Sequence, residues 1–137
     1  MIVYLREQDY DELIRYCRQQ LPLEACGILA GNEEGLVEKV YEMKNQDESP
    51  RHFSLDTGEQ IAVRKDMRER GYRLIAYFHS HPEAPARMSE EDKRLAEEQS
   101  VHCIVSFENE DKAVMNAFQI DEQKNVKNVE WKLIGDV

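Results

Sequence analysis

The spacing of apolar positions divides the chain into strands and helices. Residues 2–5 form a short apolar strand. Tyr10, Leu13, Ile14, Cys17 and Leu21 then mark one face of a helix over 7–20. Acids fill its first turns, Arg15 and Arg18 lie near its end, and Pro22 stops it. Residues 23–31 are apolar and β-compatible, with Glu24 near the start. Residues 32–35 read as a turn, 36–43 as a returning strand, 45–50 as a polar loop and 52–55 as a short strand. Asp56-x-x-Glu59 resembles a capping box opening a helix to about Arg70, with Gly71 at C′. Residues 72–78 are the most apolar strand. A Pro/Ala loop at 82–88 leads to a helix over 89–99. Strands follow at 101–107, 112–120 and 128–135, with a hairpin turn at 108–111. Hairpins mixed with two or three helices predict an α+β (mixed α/β) fold, as one domain spanning 1–137.

Composition then narrows the function. With 137 residues, 41% of them hydrophobic, the chain can bury a core and is too apolar for disorder. Its net charge of −10 disfavours a nucleic-acid partner, which needs a basic surface. Much of the acid, such as Glu90-Glu91-Asp92 and Glu97-Glu98, reads as a solvated helix face. No apolar run approaches the roughly 18–20 residues of a membrane span, so no membrane association is expected. Residues 1–7 lack the basic-then-apolar pattern of a signal peptide. The expectation is therefore a cytoplasmic protein. Cys17, Cys26 and Cys103 are an odd, sparse set that suits reduced thiols. Cys17 and Cys103 fall at core positions, and no C-x-x-C pair offers a thiolate zinc site. Exposed apolar strands leave a homodimer open.

Candidate chemistry gathers where the most apolar strand ends, at Tyr77-Phe78-His79-Ser80-His81-Pro82. A strand has a period of two, so His79 and His81 project from one face. Two imidazoles there cannot easily both be protonated, and a shared metal resolves the conflict. Ser89-x-x-Asp92 reads as the first turn of a helix. Ser89 suits an N-cap, whereas Asp is short for the reach back that Glu or Gln makes in a capping box. Asp92 is thereby expected to be free to point at a metal. Strand end, loop and helix start could bring two nitrogens and one oxygen together, with a fourth position left for water, as catalytic zinc is held. Glu24 taken alone reads as an exposed acid. Buried beside a zinc-activated water it would be a natural general base.

Together, Glu24, His79-Ser80-His81-Pro82, the seven residues from Pro82 through Met88, Ser89 and Asp92 resemble the JAMM (MPN+) metalloprotease motif. Leu23-Glu24-Ala25-Cys26-Gly27-Ile28-Leu29 is similar to the E-x-C-G stretch of the short prokaryotic members, and Pro85-Ala86-Arg87 to their P-A-R. The likeness covers nearly the whole chain in length and element order. Met88 departs from the proline those members often carry. The resemblance implies a curved mixed sheet flanked by two to three helices, and one Zn²⁺ per chain held by His79, His81 and Asp92. It implies Glu24 as the base that deprotonates the attacking water and returns the proton to the leaving amine, and Ser89 as oxyanion stabiliser. The implied substrate is the C-terminal Gly-Gly tail of a ubiquitin-like sulfur-carrier protein, with residues 44–52 and the seven-residue loop holding it over the metal. The chain lacks the insertions with which eukaryotic members grip ubiquitin chains. Two other readings compete: a non-catalytic MPN scaffold, disfavoured because all five signature positions are present, and a zinc amidohydrolase of a small molecule. Cys26, two residues from Glu24, could lie near the metal, but a small buried strand residue is the favoured reading.

Overall fold

The computed structural model describes residues 1–135, so the last two positions of the expected domain, 136–137, lie outside the described residues. The elements run β1 (Ile2–Arg6), α1 (Glu7–Gln20), β2 (Cys26–Gly31), β3 (Val37–Met43), α2 (Thr57–Arg70), β4 (Arg73–His81), α3 (Glu90–Leu95), β5 (Val101–Ser106), β6 (Val114–Ile120) and β7 (Val126–Ile134). The strands form one mixed sheet in the order β1-β7-β6-β5-β4-β2-β3. β1 pairs parallel with β7 and β4 parallel with β5, while the other pairs are antiparallel. The sheet curls until its two edges nearly meet, for Tyr4 bridges Leu36 in parallel and its N–H donates to Gly35 O at 2.9 Å. Gly35 permits that closure. Its φ is +91°, and a Cβ there would lie 2.3 Å from Ile2 O.

The two faces of the sheet bury different things. α1 lays Leu13 and Cys17 on one face, against Val3, Leu5, Leu29, Phe78, Cys103 and Val105. On the other face Met67 of α2 packs on Ile28, Ala30, Tyr41 and Met43. Met88 and Ala96, flanking α3, cover Ile104, Phe118 and Ile120. Cys17, Cys26 and Cys103 are all buried, free thiols. α2 begins at Asp56, whose side chain accepts from Glu59 N–H at 2.9 Å. Glu59 does not return the bond; it accepts from Lys44 N–H instead. Gly71 ends the helix at φ +73°, as its position after Arg70 predicts. Among the described residues no helix is long and apolar enough to cross a membrane.

Besides shifts of one or two residues at other strand ends, four departures from the expectation bear on the site. β2 starts at Cys26, so residues 23–25 approach the sheet without joining it. Residues 52–55 make only an isolated bridge, Asn45 with Leu55. β4 continues through His79 and His81 to the end of the strand. α3 covers six residues and not the eleven of 89–99. The backbone becomes extended at Ala96, and the link to β5 then turns at Gln99, which has φ +66° and donates its N–H to Ile120 O of β6 at 2.7 Å.

Candidate metal centre

β4 sorts its residues by the strand period. Phe78 points to the α1 core, whereas Tyr77, His79 and His81 point to the face of α2 and α3. Ser80 lies between the histidines and points away from them. Its Oγ accepts from Ala25 N–H at 2.8 Å, and its own N–H donates to Ala25 O at 3.0 Å. The residue between the two histidines thus clamps the segment that carries Glu24. Gly27 lets this packing close. A Cβ there would stand 2.1 Å from Tyr41 O and 2.4 Å from the Phe78 ring.

Asp92 reaches the histidines from the first turn of α3. His79 Nε2 and His81 Nε2 are 3.2 Å apart, and each lies 3.1 Å from Asp92 Oδ2. That oxygen also accepts from Ser89 N–H at 3.0 Å, while Ser89 Oγ accepts from Asp92 N–H at 3.0 Å. The capping box is therefore complete, and the expectation that Asp is too short to close it is wrong. The short side chain closes the box because the oxygen it uses already faces Ser89 from N3, and that oxygen faces the histidines as well. Asp92 combines both roles.

His79 and Glu24 are almost fully buried, at 1% and 3% exposure. Phe53 stacks on the His79 ring at 4.7 Å. Two buried polar atoms there lack a hydrogen-bond partner, Glu24 Oε1 and His79 Nδ1. His81 donates Nδ1–H to Pro85 O at 2.8 Å, which turns its Nε2 toward Asp92. Ionisation follows surroundings. Burial pushes Glu24 up to about 8; His81 opposes the rise, and Asp92 and Glu91 add to it. Burial raises Asp92 too, but hydrogen bonds from His79 and His81 overcome it and hold that carboxyl well below its usual range. Burial lowers His79. It also pulls on His81, where the bonds to Asp92 and Pro85 win and raise it.

The three donor atoms fit one cation. Tetrahedral zinc with bonds of roughly 2.0–2.1 Å has donor-to-donor edges of about 3.3 Å, close to the spacings above. The His79–His81–Asp92 group can hold a metal ion. Clefts open on either side of it. One, of about 570 Å³, is walled by Glu24, Arg51, His81, Glu83 and Ser89. The other, of about 300 Å³, is walled by Phe53, His79, Asp92, Leu95 and His102.

Some of this escapes sequence reading. Asn45, expected only as a loop residue, is 4% exposed. Its Nδ2 donates to Glu24 O, Ser49 O and His52 O at 3.1, 3.3 and 3.0 Å, so one amide ties the 45–54 loop to Glu24. A lone Asn in a polar loop carries no signal of that. Ser80 was open to inference, since the period that pairs the histidines puts it on the opposite face.

Two imidazoles and a carboxylate converging at a strand end, beside a separate buried glutamate without a partner, define a JAMM-type protease. The chain belongs to the prokaryotic homologues of the JAB domain, whose family model matches residues 6–121. It is 31% identical over 105 residues to the CysO-cysteine peptidase of Mycobacterium tuberculosis, covering 76% of this chain and 72% of the relative. It is 30% identical over 77 residues to the desampylase of Haloferax volcanii, 55% of each chain. The solution structure of a Desulfitobacterium hafniense protein superposes with a TM-score of 0.91 at 41% identity, over 100% of this chain and 95% of that one. The resemblance drawn from the signature residues is borne out at the level of family and fold.

Proposed function

We propose that this chain, acting as one domain in the cytoplasm, hydrolyses an amide bond at the C-terminal Gly-Gly tail of a ubiquitin-like sulfur-carrier protein. One Zn²⁺ is held by His79, His81 and Asp92. The observation that carries the reading is the meeting of His79 Nε2, His81 Nε2 and Asp92 Oδ2 beside a buried glutamate whose Oε1 has no partner. Relatives named CysO-cysteine peptidase and probable TtuB-protein conjugate cleaving protease (Thermus thermophilus) support a protein substrate. When bound, zinc supplies a Lewis acid for the scissile carbonyl and acidifies water at neutral pH. Glu24 takes the proton of the attacking water and returns it to the leaving amine; its raised affinity for a proton at about pH 8 suits both transfers. Ser89 Oγ accepts from Asp92 N–H, which leaves its hydroxyl proton to donate to the substrate oxygen as charge develops. Pro85 O holds the His81 ring in register through Nδ1.

A panel of Gly-Gly-tailed carrier proteins with different C-terminal adducts, followed by mass spectrometry, tests this. Adduct loss that stops with chelator and returns with zinc is expected. Metal-independent loss, or none from any carrier by zinc-loaded protein, sinks it.

A further inference from the structure

Arg51 stands in the larger cleft with Glu24, His81 and Ser89. Among the described residues, no acidic side chain pairs with its guanidinium, although the chain holds 28 Asp and Glu. What sets it apart is its place, in the wall that also holds Glu24, His81 and Ser89. The backbone under Arg51 is fixed in place. Its N–H donates to Ser49 Oγ at 3.1 Å, Glu24 N–H donates to Ser49 O at 2.9 Å, and Asn45 bonds the carbonyls of Ser49 and His52 on either side. The same Asn45 amide grips Glu24 O. An uncommitted guanidinium is therefore carried on a turn stitched to the glutamate, in a wall whose other carboxylates are Glu24 and Glu83.

The chemistry of the leaving group says what such a charge is for. In an isopeptide the leaving amine is a lysine side chain, with no carboxylate near it. In a single-residue adduct the departing amine bears its own α-carboxylate, one carbon from the scissile nitrogen. Arg51 is the permanent cation among the residues lining this cleft, and the planar fork of its guanidinium suits it to meet that anion. We infer that Arg51 binds the α-carboxylate of one amino acid attached to the Gly-Gly tail, so that the enzyme releases single C-terminal residues in preference to cutting isopeptides. In that step water oxygen bonds the glycyl carbonyl carbon, the C–N bond breaks, and the free amino acid leaves with the returned proton. The inference rests on the peptidase reading above and narrows its substrate class.

The test uses synthetic peptides ending in Gly-Gly-Cys, as the free acid and as the C-terminal amide, with zinc-loaded protein. The wild type is expected to prefer the acid by about tenfold in kcat/KM, carried by KM, as befits one charge-assisted contact. In Arg51→Ala that ratio collapses toward one, and Arg51→Lys restores part of it. Affinities of both peptides for zinc-loaded Glu24→Gln give the same ratio without turnover. Discrimination in binding without cleavage by the wild type would uphold Arg51 while removing the hydrolase reading. Equal handling of acid and amide, or a preference that survives Arg51→Ala, overturns the inference.

Discussion

Asp92 and Glu24 are acids withdrawn from water at the same site, yet their surroundings drive them in opposite directions. Asp92 sits at a helix start, where Ser89 N–H and two histidine nitrogens surround one oxygen, and it stays ionised. Glu24 arrives on a segment outside the sheet, its Oε1 meets no donor, and burial lifts it to about 8. Paired titratable groups pushed apart in this way mark different chemical roles. The fully bonded carboxylate is fit to hold a cation, and the unbonded one is fit to move protons.

Exchanging each acid should separate those roles. Glu24→Gln is expected to lower turnover by roughly 10²- to 10⁴-fold, the usual worth of a general acid–base group, with zinc still bound at one per chain by metal analysis. Wild-type turnover in that variant would return Glu24 to a packing role. Asp92→Ala should instead weaken zinc by more than the roughly 10- to 100-fold that outer-shell losses cost. It also removes half of the α3 cap, at about 1 kcal/mol. Competition with a chelating dye reads the affinity, and an unchanged value would leave Asp92 a cap alone.

How much of this was legible depended on how local the cause is. The histidine pair, the Ser89 cap, the Gly71 stop and the core positions of Cys17 and Cys103 follow from spacing within one element. The α3 boundary did not, because Glu97 and Glu98 are good helix formers, while the link beyond Leu95 is held by a bond from Gln99 to Ile120 O on a later strand, β6. Asp92 was misjudged for the converse reason: the reach of a side chain depends on where its partner already stands. The pairing of β1 with β7 joins Ile2 to Glu130, a contact no window along the chain contains. The same holds for the bond from Asn45 to Glu24 O, twenty-one residues back along the chain.

Asn45 offers the next test of why Glu24 differs from Asp92, since Asp92 is positioned by its own helix and Glu24 by a borrowed amide. Asn45→Ala leaves buried carbonyls short of a donor and should cost about 2 kcal/mol of stability, seen as a lower Tm. Turnover should fall while zinc affinity holds. Loss of zinc in step with turnover would show that the loop supports the whole site and not Glu24 in particular.

The last test is the most direct reading of the two environments. In zinc-free protein Glu24 binds its proton with a value of about 8 when folded and 4.5 when unfolded. Between those values the folded state holds more protons, so stability falls as pH rises through the window. Asp92, held below its ordinary value, contributes stability that is present above the carboxylate range and lost only in stronger acid. It is therefore flat from pH 4.5 to 8. His81, raised above 6.5, adds a fall of the same sign as Glu24 near the top of the window, and His79, lowered by burial, adds a rise below 6.5. Subtracting the Tm profile of Glu24→Gln from that of the wild type, both in chelator, leaves the Glu24 contribution and the part of the His81 shift that Glu24 causes, which has the same sign. The difference should slope downward from about pH 4.5 to 8. A level difference would mean that Glu24 finds a partner in solution and that the contrast with Asp92 does not hold.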